Sequence, residues 1–364
     1  MIYFDHNSTT PVLPEARDAV IKTVGEAFGN PSSSHPAGRV ARGILDDARA
    51  SVGELVQTDP SKVLFTSGAT EAINHAIHTA GPGRVLVSAV EHSAVLAGLQ
   101  MRLNREVEVL PVGADGRLDV NRVLQQVDTG AHPALVAVMA ANNETGIIQP
   151  FQKLVKELRE RMVPTLVDAV QYVGRLPLKH EADYLVLTGH KIGGIKGAGA
   201  LIAGDPDAVL PLIAGGGQEN GCRGGTEPIP AIAALGAAAK HLIAHRGAEA
   251  QSVEKLRNAF EAELLNRWPS FRVVGKGVPR IPNTSLVIIP RAESEPVVRR
   301  LAASGVAVST GSACASGSLS PSRVLTAMGM PPEMTFRAIR FSFGPSNTMD
   351  EVGKVLDLLP KCIV

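Results

Sequence analysis

Tyr184-Leu185-Val186-Leu187-Thr188-Gly189-His190-Lys191-Ile192-Gly193-Gly194 decides the fold. Its apolar residues run on without alternation, as in a strand covered on both faces. A small, polar turn follows at once and carries a lysine. In open α/β sheets ligands sit beyond the carboxyl ends of the strands, where Lys191 falls. The run before it, Thr165-Leu166-Val167, repeats the pattern and ends in Asp168-Ala169-Val170-Gln171. Val63-Leu64-Phe65, Arg84-Val85-Leu86-Val87, Leu135–Met139 and Ala200-Leu201-Ile202-Ala203 are further buried strands.

Helical stretches lie between them. Residues 39–57 place Val40, Ile44, Ala48, Val52 and Leu55 on one face, and residues 149–161 do the same with Leu154, Val155 and Leu158. The fold class is therefore α/β, a mostly parallel sheet covered by helices. An Ala-rich helix runs from Ala231 to about Asn266, and the texture then changes. Asn283–Ile289 and Ile339–Phe343 read as strands and Glu295–Ser304 as a helix, the make-up of a smaller α+β domain. We expect a large domain at 13–250 and a small one formed by 1–12 with 251–364. The first dozen residues do not fit the doubly wound part; they join the small domain or cross to a partner.

A chain of 364 residues has room for two such domains. A net charge of +1 gives no electrostatic case for nucleic acid or an acidic membrane as partner. The opening lacks the basic and apolar regions of a signal peptide. Apolar runs break well before the ~18 residues of a membrane span. Three cysteines, Cys222, Cys314 and Cys362, are too few and odd in number for a disulfide framework, so we expect a reducing, cytoplasmic setting. No metal is expected.

Four segments carry chemistry. Thr66-Ser67-Gly68-Ala69-Thr70-Glu71-Ala72 leads a strand into a helix through small residues. Free backbone N–H groups there suit an anion, although a plain N-capped helix has the same signature. Lys191, partly desolvated, can form a Schiff base, and its flanking glycines let backbone approach a bulky cofactor; a solvated loop lysine is the commoner alternative. Asp168 follows a buried strand directly. It is either a helix cap or a carboxylate in need of a cation, such as a pyridinium nitrogen. Ser309–Ser318 is all small residues with little to anchor it by packing, so Cys314 on it is a candidate reactive thiol rather than a core residue.

Together these segments resemble the cysteine desulfurases of the NifS/IscS type, in the class V aminotransferase group of fold-type I pyridoxal 5'-phosphate (PLP) enzymes. The likeness runs nearly end to end. It includes Tyr3–Thr10, Asn30-Pro31-Ser32-Ser33, Thr66–Asn74, Glu91-His92, Ala141–Gly146, Asp168–Gly174, His190-Lys191, Gly215–Glu219, Arg223–Thr226, Gly311–Cys314 and Arg340–Gly344. The resemblance implies that Lys191 holds PLP and moves the substrate Cα proton, and that His92 stacks on the ring and serves in acid–base steps. It implies that Asp168 pairs with the ring nitrogen and Gln171 bonds the ring oxygen. Ala69, Thr70, Thr188 and His190 would hold the phosphate, with Thr226 donated to it across a homodimer interface. Asn143 and Arg340 would hold the substrate carboxylate. L-cysteine would yield L-alanine and a persulfide on Cys314, passed on to an acceptor protein.

The sequence departs from the family pattern in places. His6-Asn7-Ser8 stands where an Asn or Ala pair is usual, and Gly194-Ile195-Lys196-Gly197 lacks a proline common in that turn. Cys222 is not a family feature; its neighbour Arg223 lowers its pKa or the thiol is simply buried. Cys362 reads as an incidental tail thiol. The tail to Val364 is shorter than in members that dock an iron–sulfur scaffold there, which argues against that partner. Iron–sulfur assembly, tRNA thiolation, DNA phosphorothioation and a dedicated biosynthetic pathway remain open. The rival readings are a selenocysteine lyase or another class V aminotransferase, and a catalytically silent binding protein.

Overall fold

The computed structural model describes residues 1–101, 105–311 and 320–363. Strand β1 (Ile2–Tyr3) opens the chain. Seven strands then build the main sheet: β2 (Val63–Thr66), β3 (Gly83–Ser88), β4 (Arg105–Leu110), β5 (Leu135–Met139), β6 (Thr165–Asp168), β7 (Tyr184–Thr188) and β8 (Gly199–Ala203). Their order is β2-β8-β7-β6-β5-β3-β4. Only β8 runs against its neighbours. It follows β7 after the ten-odd residues that carry Lys191, a connection too short for a crossover helix. The pairing of β6 with β7 sets Asp168 level with Val186, and Met139 of β5 lies level with Asp168. The ends of β5, β6 and β7 thus form one ledge.

Helices cover both faces. On one lie α1 (Pro14–Glu26) and α2 (Pro36–Leu55). On the other lies α3 (Ala69–Thr79), which leaves β2 at once, with α4 (Ser93–Gln100) beside it. Helices α5 (Val120–Val127) and α6 (Phe151–Glu160) pack with α2 against the first face. The stripe that α2 buries is Ala41, Leu45, Ala48, Val52 and Leu55. Val40, expected on that stripe, is half exposed, and Ile44 is only partly buried. Steps of four and three from Ala41 hold one line along the helix, and Val40 sits a hundred degrees off it.

Helix α7 (Ile229–Arg267) is one unbroken element of 39 residues, ~58 Å long. Its first half, with Ile232, Leu235 and Leu242, closes the main core; its second, with Val253, Leu256, Phe260 and Leu264, closes a second core. The expected boundary near residue 250 falls in the middle of this helix, where residues 243–252 touch neither core. The second core is built on β9 (Arg272–Val273), β10 (Thr284–Ile288), β12 (Ser309–Thr310) and β13 (Ala338–Ser342), with α8 (Ser294–Ala303) and α9 (Met349–Cys362) outside. Strand β11 (Val306–Ala307) pairs in parallel with β1. Phe4 is fully buried against Phe343, at 4.7 Å between ring centres. Phe4 and, in part, Ile2 thus pack with the second core. Cys362 is buried in this second core rather than incidental.

Where α2 crosses α7, Gly236 lets the backbones touch: a Cβ there would stand 2.7 Å from Ala48 Cα. Gly→Ala in a helix ordinarily gains about 0.5–1 kcal/mol. Gly236→Ala should instead lose about 1–3 kcal/mol by overpacking. Gly43→Ala on α2 and Gly247→Ala on α7, which have open space, should hold or raise the melting midpoint. Thermal unfolding of the three variants side by side checks this.

Candidate active site

The ledge at the ends of β5–β7 floors a cavity of about 540 Å³, within the range of cofactor and substrate sites. Ala69, Thr70, His92, Asn143, Asp168, Gln171, Thr188, His190, Lys191 and Arg340 all line it. Residues spread over 270 positions thus meet because three parallel strands end together and α3 starts beside them.

Lys191 follows β7 on a single tight turn, Gly189–Lys191. Its Nζ donates to Asn7 O at 2.5 Å and Ser8 O at 2.6 Å. Asp168, at the tip of β6, is 5% exposed, and its Oδ1 accepts from Val170 N at 3.0 Å. Burial pushes its pKa up, opposed by His92, the Val170 N–H and Lys191. A cationic ring nitrogen set against it would restore the ionised form. His92 caps α4, its Nδ1 accepting from Ala94 N at 3.1 Å, so the neutral ring carries its proton on Nε2. Burial lowers its pKa.

The start of α3 has no side-chain cap, because Gly68 holds the cap position. First-turn N–H groups lack intrahelical partners, so Ala69 and Thr70 offer donors at the cavity wall. Glu71 reaches back to Ser67 N at 2.9 Å, so the capping signal and the anion cradle coexist. His190 is neutral, lowered to about 4 by burial first and then by Lys191 and Lys196, and its Nδ1 meets Thr9 Oγ1 at 3.2 Å. Gln171 donates from Nε2 to Asn7 O, while its buried Oε1 has no partner among the described residues.

Arg340 on β13 donates from Nη1 to Asn143 O at 3.0 Å and from Nη2 to Asp5 and Ser8, each at 2.8 Å. A buried carboxylate at a strand end, a buried amide oxygen, an uncapped helix and an amine on a loop form a set that fits a phosphorylated cofactor with a basic ring. They fit a metal ion poorly.

One expectation changes, and of the two readings of Cys222 burial holds. Gly193 and Gly194 do not make room for a cofactor. Gly193, at φ +93°, packs under Leu13, where a Cβ would meet Leu13 Cγ at 2.5 Å, and Gly194 lies against Gly189. Arg223 does not lower the pKa of Cys222. Its guanidinium is engaged by Glu71, while burial, Glu219 and Asp207 push the half-buried thiol up. Thr226 is exposed and lies outside the lining of the cavity in a single chain. Cys314 falls outside the described residues.

Several residues here had no role assigned from sequence. Asn7 is the centre of the N-terminal segment. It takes a hydrogen bond from Asn283 on Oδ1 and gives them to Thr284 Oγ1 and Asn143 O. Arg175, drawn down to about 10 by burial and then by Arg340, supports the same Oδ1 at 3.3 Å. Glu91 is 2% exposed; Oε1 accepts from Met139 N at 2.6 Å and Oε2 has no partner among the described residues. Glu144 takes the Ser322 hydroxyl at 2.5 Å, and burial raises it to about 7. The signal for Asn7 was present in the opening motif; a buried glutamate looks like a surface one in sequence.

A sequence profile of the family described as Aminotransferase class-V matches residues 2–355. A curated relative from Cereibacter sphaeroides, named cysteine desulfurase, is 41% identical, with 100% of this chain and 95% of the relative covered. The crystal structure of a NifS-like protein from Rickettsia africae superposes with a TM-score of 0.91 at 29% identity, covering 100% of this chain and 99% of that one. A structure described as SspA in complex with cysteine gives 0.82 at 30% identity, covering 96% and 100%.

Glu91 supplies a pH test. Burial first, then the charge of Asp168, raises it to about 8 from its ordinary 4.5. A carboxyl with a raised folded pKa holds its proton more tightly in the native state, so its contribution to stability falls as pH rises from about 4.5 to about 8. Glu91→Gln, which cannot ionise, should therefore gain stability relative to wild type across that window and keep a constant lead above it. Denaturant titrations of the cofactor-free chain at pH 5, 6.5, 8 and 9 measure the gap. A gap that does not widen rules out the buried neutral carboxyl.

Proposed function

The chain belongs to the aminotransferase class-V family, and on that premise we propose that it is a PLP-dependent cysteine desulfurase in which Lys191 holds the cofactor and Cys314 takes the sulfur. The observation that carries this reading is the meeting, in one cavity, of the Lys191 amine, the sealed Asp168, the neutral His92, the open start of α3 and the Arg340 guanidinium. When bound, PLP supplies the electron sink that acidifies the substrate Cα–H and lets the Cβ–S bond part.

The residues divide the remaining work. Ala69 and Thr70, with Thr188 and His190, hold the phosphate, and Thr226 of a second copy completes that cradle in a homodimer. Asp168 holds the ring nitrogen in its protonated form, Gln171 bonds the ring oxygen, and His92 covers the ring face with its Nε2–H available as an acid. Lys191 Nζ carries the Cα proton, and the Asn7 and Ser8 carbonyls give the resulting ammonium a berth. Asn143 and Arg340 take the substrate carboxylate. Nη2 of Arg340 already serves Asp5 and Ser8, so a bidentate grip requires it to exchange one of them for the substrate.

Sulfur transfer is a displacement at sulfur. The Cys314 thiolate forms an S–S bond to the substrate sulfur as the Cβ–S bond breaks; the released carbon takes a proton, and cysteine leaves as alanine. The enzyme keeps a persulfide, which an acceptor protein removes. We place the small domain at 1–12 with 251–364, which sets Arg340 on the side facing the Lys191 ledge. No helix among the described residues is long and apolar enough to cross a membrane; the cytoplasmic site of action we propose rests on the sparse, odd set of cysteines.

The test is alanine and sulfide release from L-cysteine with reductant, read beside the visible spectrum. Wild type should show a Schiff-base band and make alanine. Cys314→Ala should keep the band and make none. Lys191→Ala should lose the band and about 10²–10⁴-fold of the rate. A yellow wild type that yields no alanine sinks the substrate assignment, and selenocysteine is then tried; alanine from Cys314→Ala at the full rate removes Cys314 from the reaction.

A further inference from the structure

Helix α3 starts in an unusual electrostatic position. An acidic residue in a first helical turn normally stabilises the helix. Here the same turn is the phosphate cradle, and Glu71 lines the cavity together with Ser67, Gly68, Ala69 and Thr70. A bare carboxylate at that point opposes an incoming phosphate of nearly two negative charges.

The Gly-rich loop 215–226 supplies the answer. Arg223 grips Glu71 with both arms, Nε to Oε1 at 2.9 Å and Nη2 to Oε2 at 3.2 Å. The Arg223 side chain is 19% exposed and that of Glu71 11%, so the pair is largely shielded from solvent. The contact with Arg223 lowers the Glu71 pKa, against burial, and Glu71 raises that of Arg223. Glu71 Oε2 also accepts from Ser67 N, so one carboxylate ties the guanidinium to the turn itself.

Arg223 is well anchored. Its backbone bridges to Ile213, Gly224 N donates to Ile213 O, and Gly215 and Gly224 are pressed so close that a Cβ on Gly215 would stand 2.7 Å from Gly224 Cα. The loop has a second tie. Glu219 takes Arg49 at 2.8 and 2.9 Å and Phe65 N at 2.9 Å, at the strand that leads into the cradle. Glu219 and Asn220 both hold positive φ, a conformation that needs such support. The loop is thus fastened to the strand entering the turn and to the helix leaving it.

We propose that Arg223 is a positioning residue for the cofactor phosphate: by pairing with Glu71 it cancels the negative charge at the start of α3 and holds the Ser67–Thr70 turn open to the anion. This rests on the reading that the cavity takes a phosphorylated cofactor.

The experiment compares PLP with pyridoxal, which lacks the phosphate. Dissociation constants of both are measured by fluorescence on the full-length chain after cofactor removal, for wild type, Arg223→Gln, Arg223→Lys, Glu71→Gln and the Arg223→Gln/Glu71→Gln double variant. Arg223→Gln should weaken PLP about 10- to 100-fold and leave pyridoxal within about twofold. Arg223→Lys keeps the charge but not the fork and should fall between. Glu71→Gln alone should bind PLP at least as tightly as wild type, and the double variant should recover most of the loss. Equal losses of PLP and pyridoxal in Arg223→Gln, or no recovery in the double variant, overturn the proposal. A wild type that binds PLP no better than pyridoxal overturns the phosphate reading of the cavity, and this proposal with it.

Discussion

The hydrogen bonds of one buried side chain, Asn7, hold the parts of this molecule in register. Its amide meets Asn283 and Thr284 at the edge of the small sheet, Asn143 beyond β5, and Arg175 after β6. Its carbonyl receives Gln171 and the Lys191 amine. An extended segment of a few residues therefore lies between two cores and fixes the amine relative to Arg340, which comes from the other sheet. Removing an amide so placed strands several buried donors and acceptors at once, which costs more than any single bond suggests.

The polar support around the cavity is mostly buried titratable groups. Glu91 and Glu144 are carboxylates kept from water, and burial raises both. Asp168 stands beside Glu91, and two adjacent carboxylates in a dry place do not both ionise readily. Burial raises both, and only Asp168 has His92 and Lys191 drawing it back towards the ionised form, so Asp168 is the one suited to answer a cation. The division of labour between the two follows from their surroundings, since their side-chain chemistry is nearly the same.

Much of the fold was legible. The runs at 63–65, 84–87, 135–139, 165–167, 184–187 and 200–203 are strands because parallel strands buried on both faces are apolar throughout. Strand β4 gave no such signal: Arg105-Glu106-Val107-Glu108-Val109-Leu110 lies at the sheet edge, where one side is wet and charge is tolerated. The continuity of α7 was not legible, because it carries an apolar stripe for one core and then another without a break to mark the change. The lining of the site was legible through the small residues and titratable groups at strand ends. Its supports were not: Glu91, Glu144, Arg175 and Glu219 acquire their roles only from what the fold buries around them.

The union of β1 with β11 and of Asn7 with Ser342 has a consequence for biosynthesis. Asn7 and Ser342 are 335 residues apart in sequence yet share a hydrogen bond. At ~5–20 residues per second, a ribosome delivers the second about 15–70 s after the first. The main sheet, with the partners that Asn7 and Ser8 find in Gln171 and Lys191, is made in that interval, but Ser342 and Arg340 reach the leading segment only when β13 emerges. The cavity beside Lys191 therefore gains its last wall, Arg340 on β13, only near the end of synthesis.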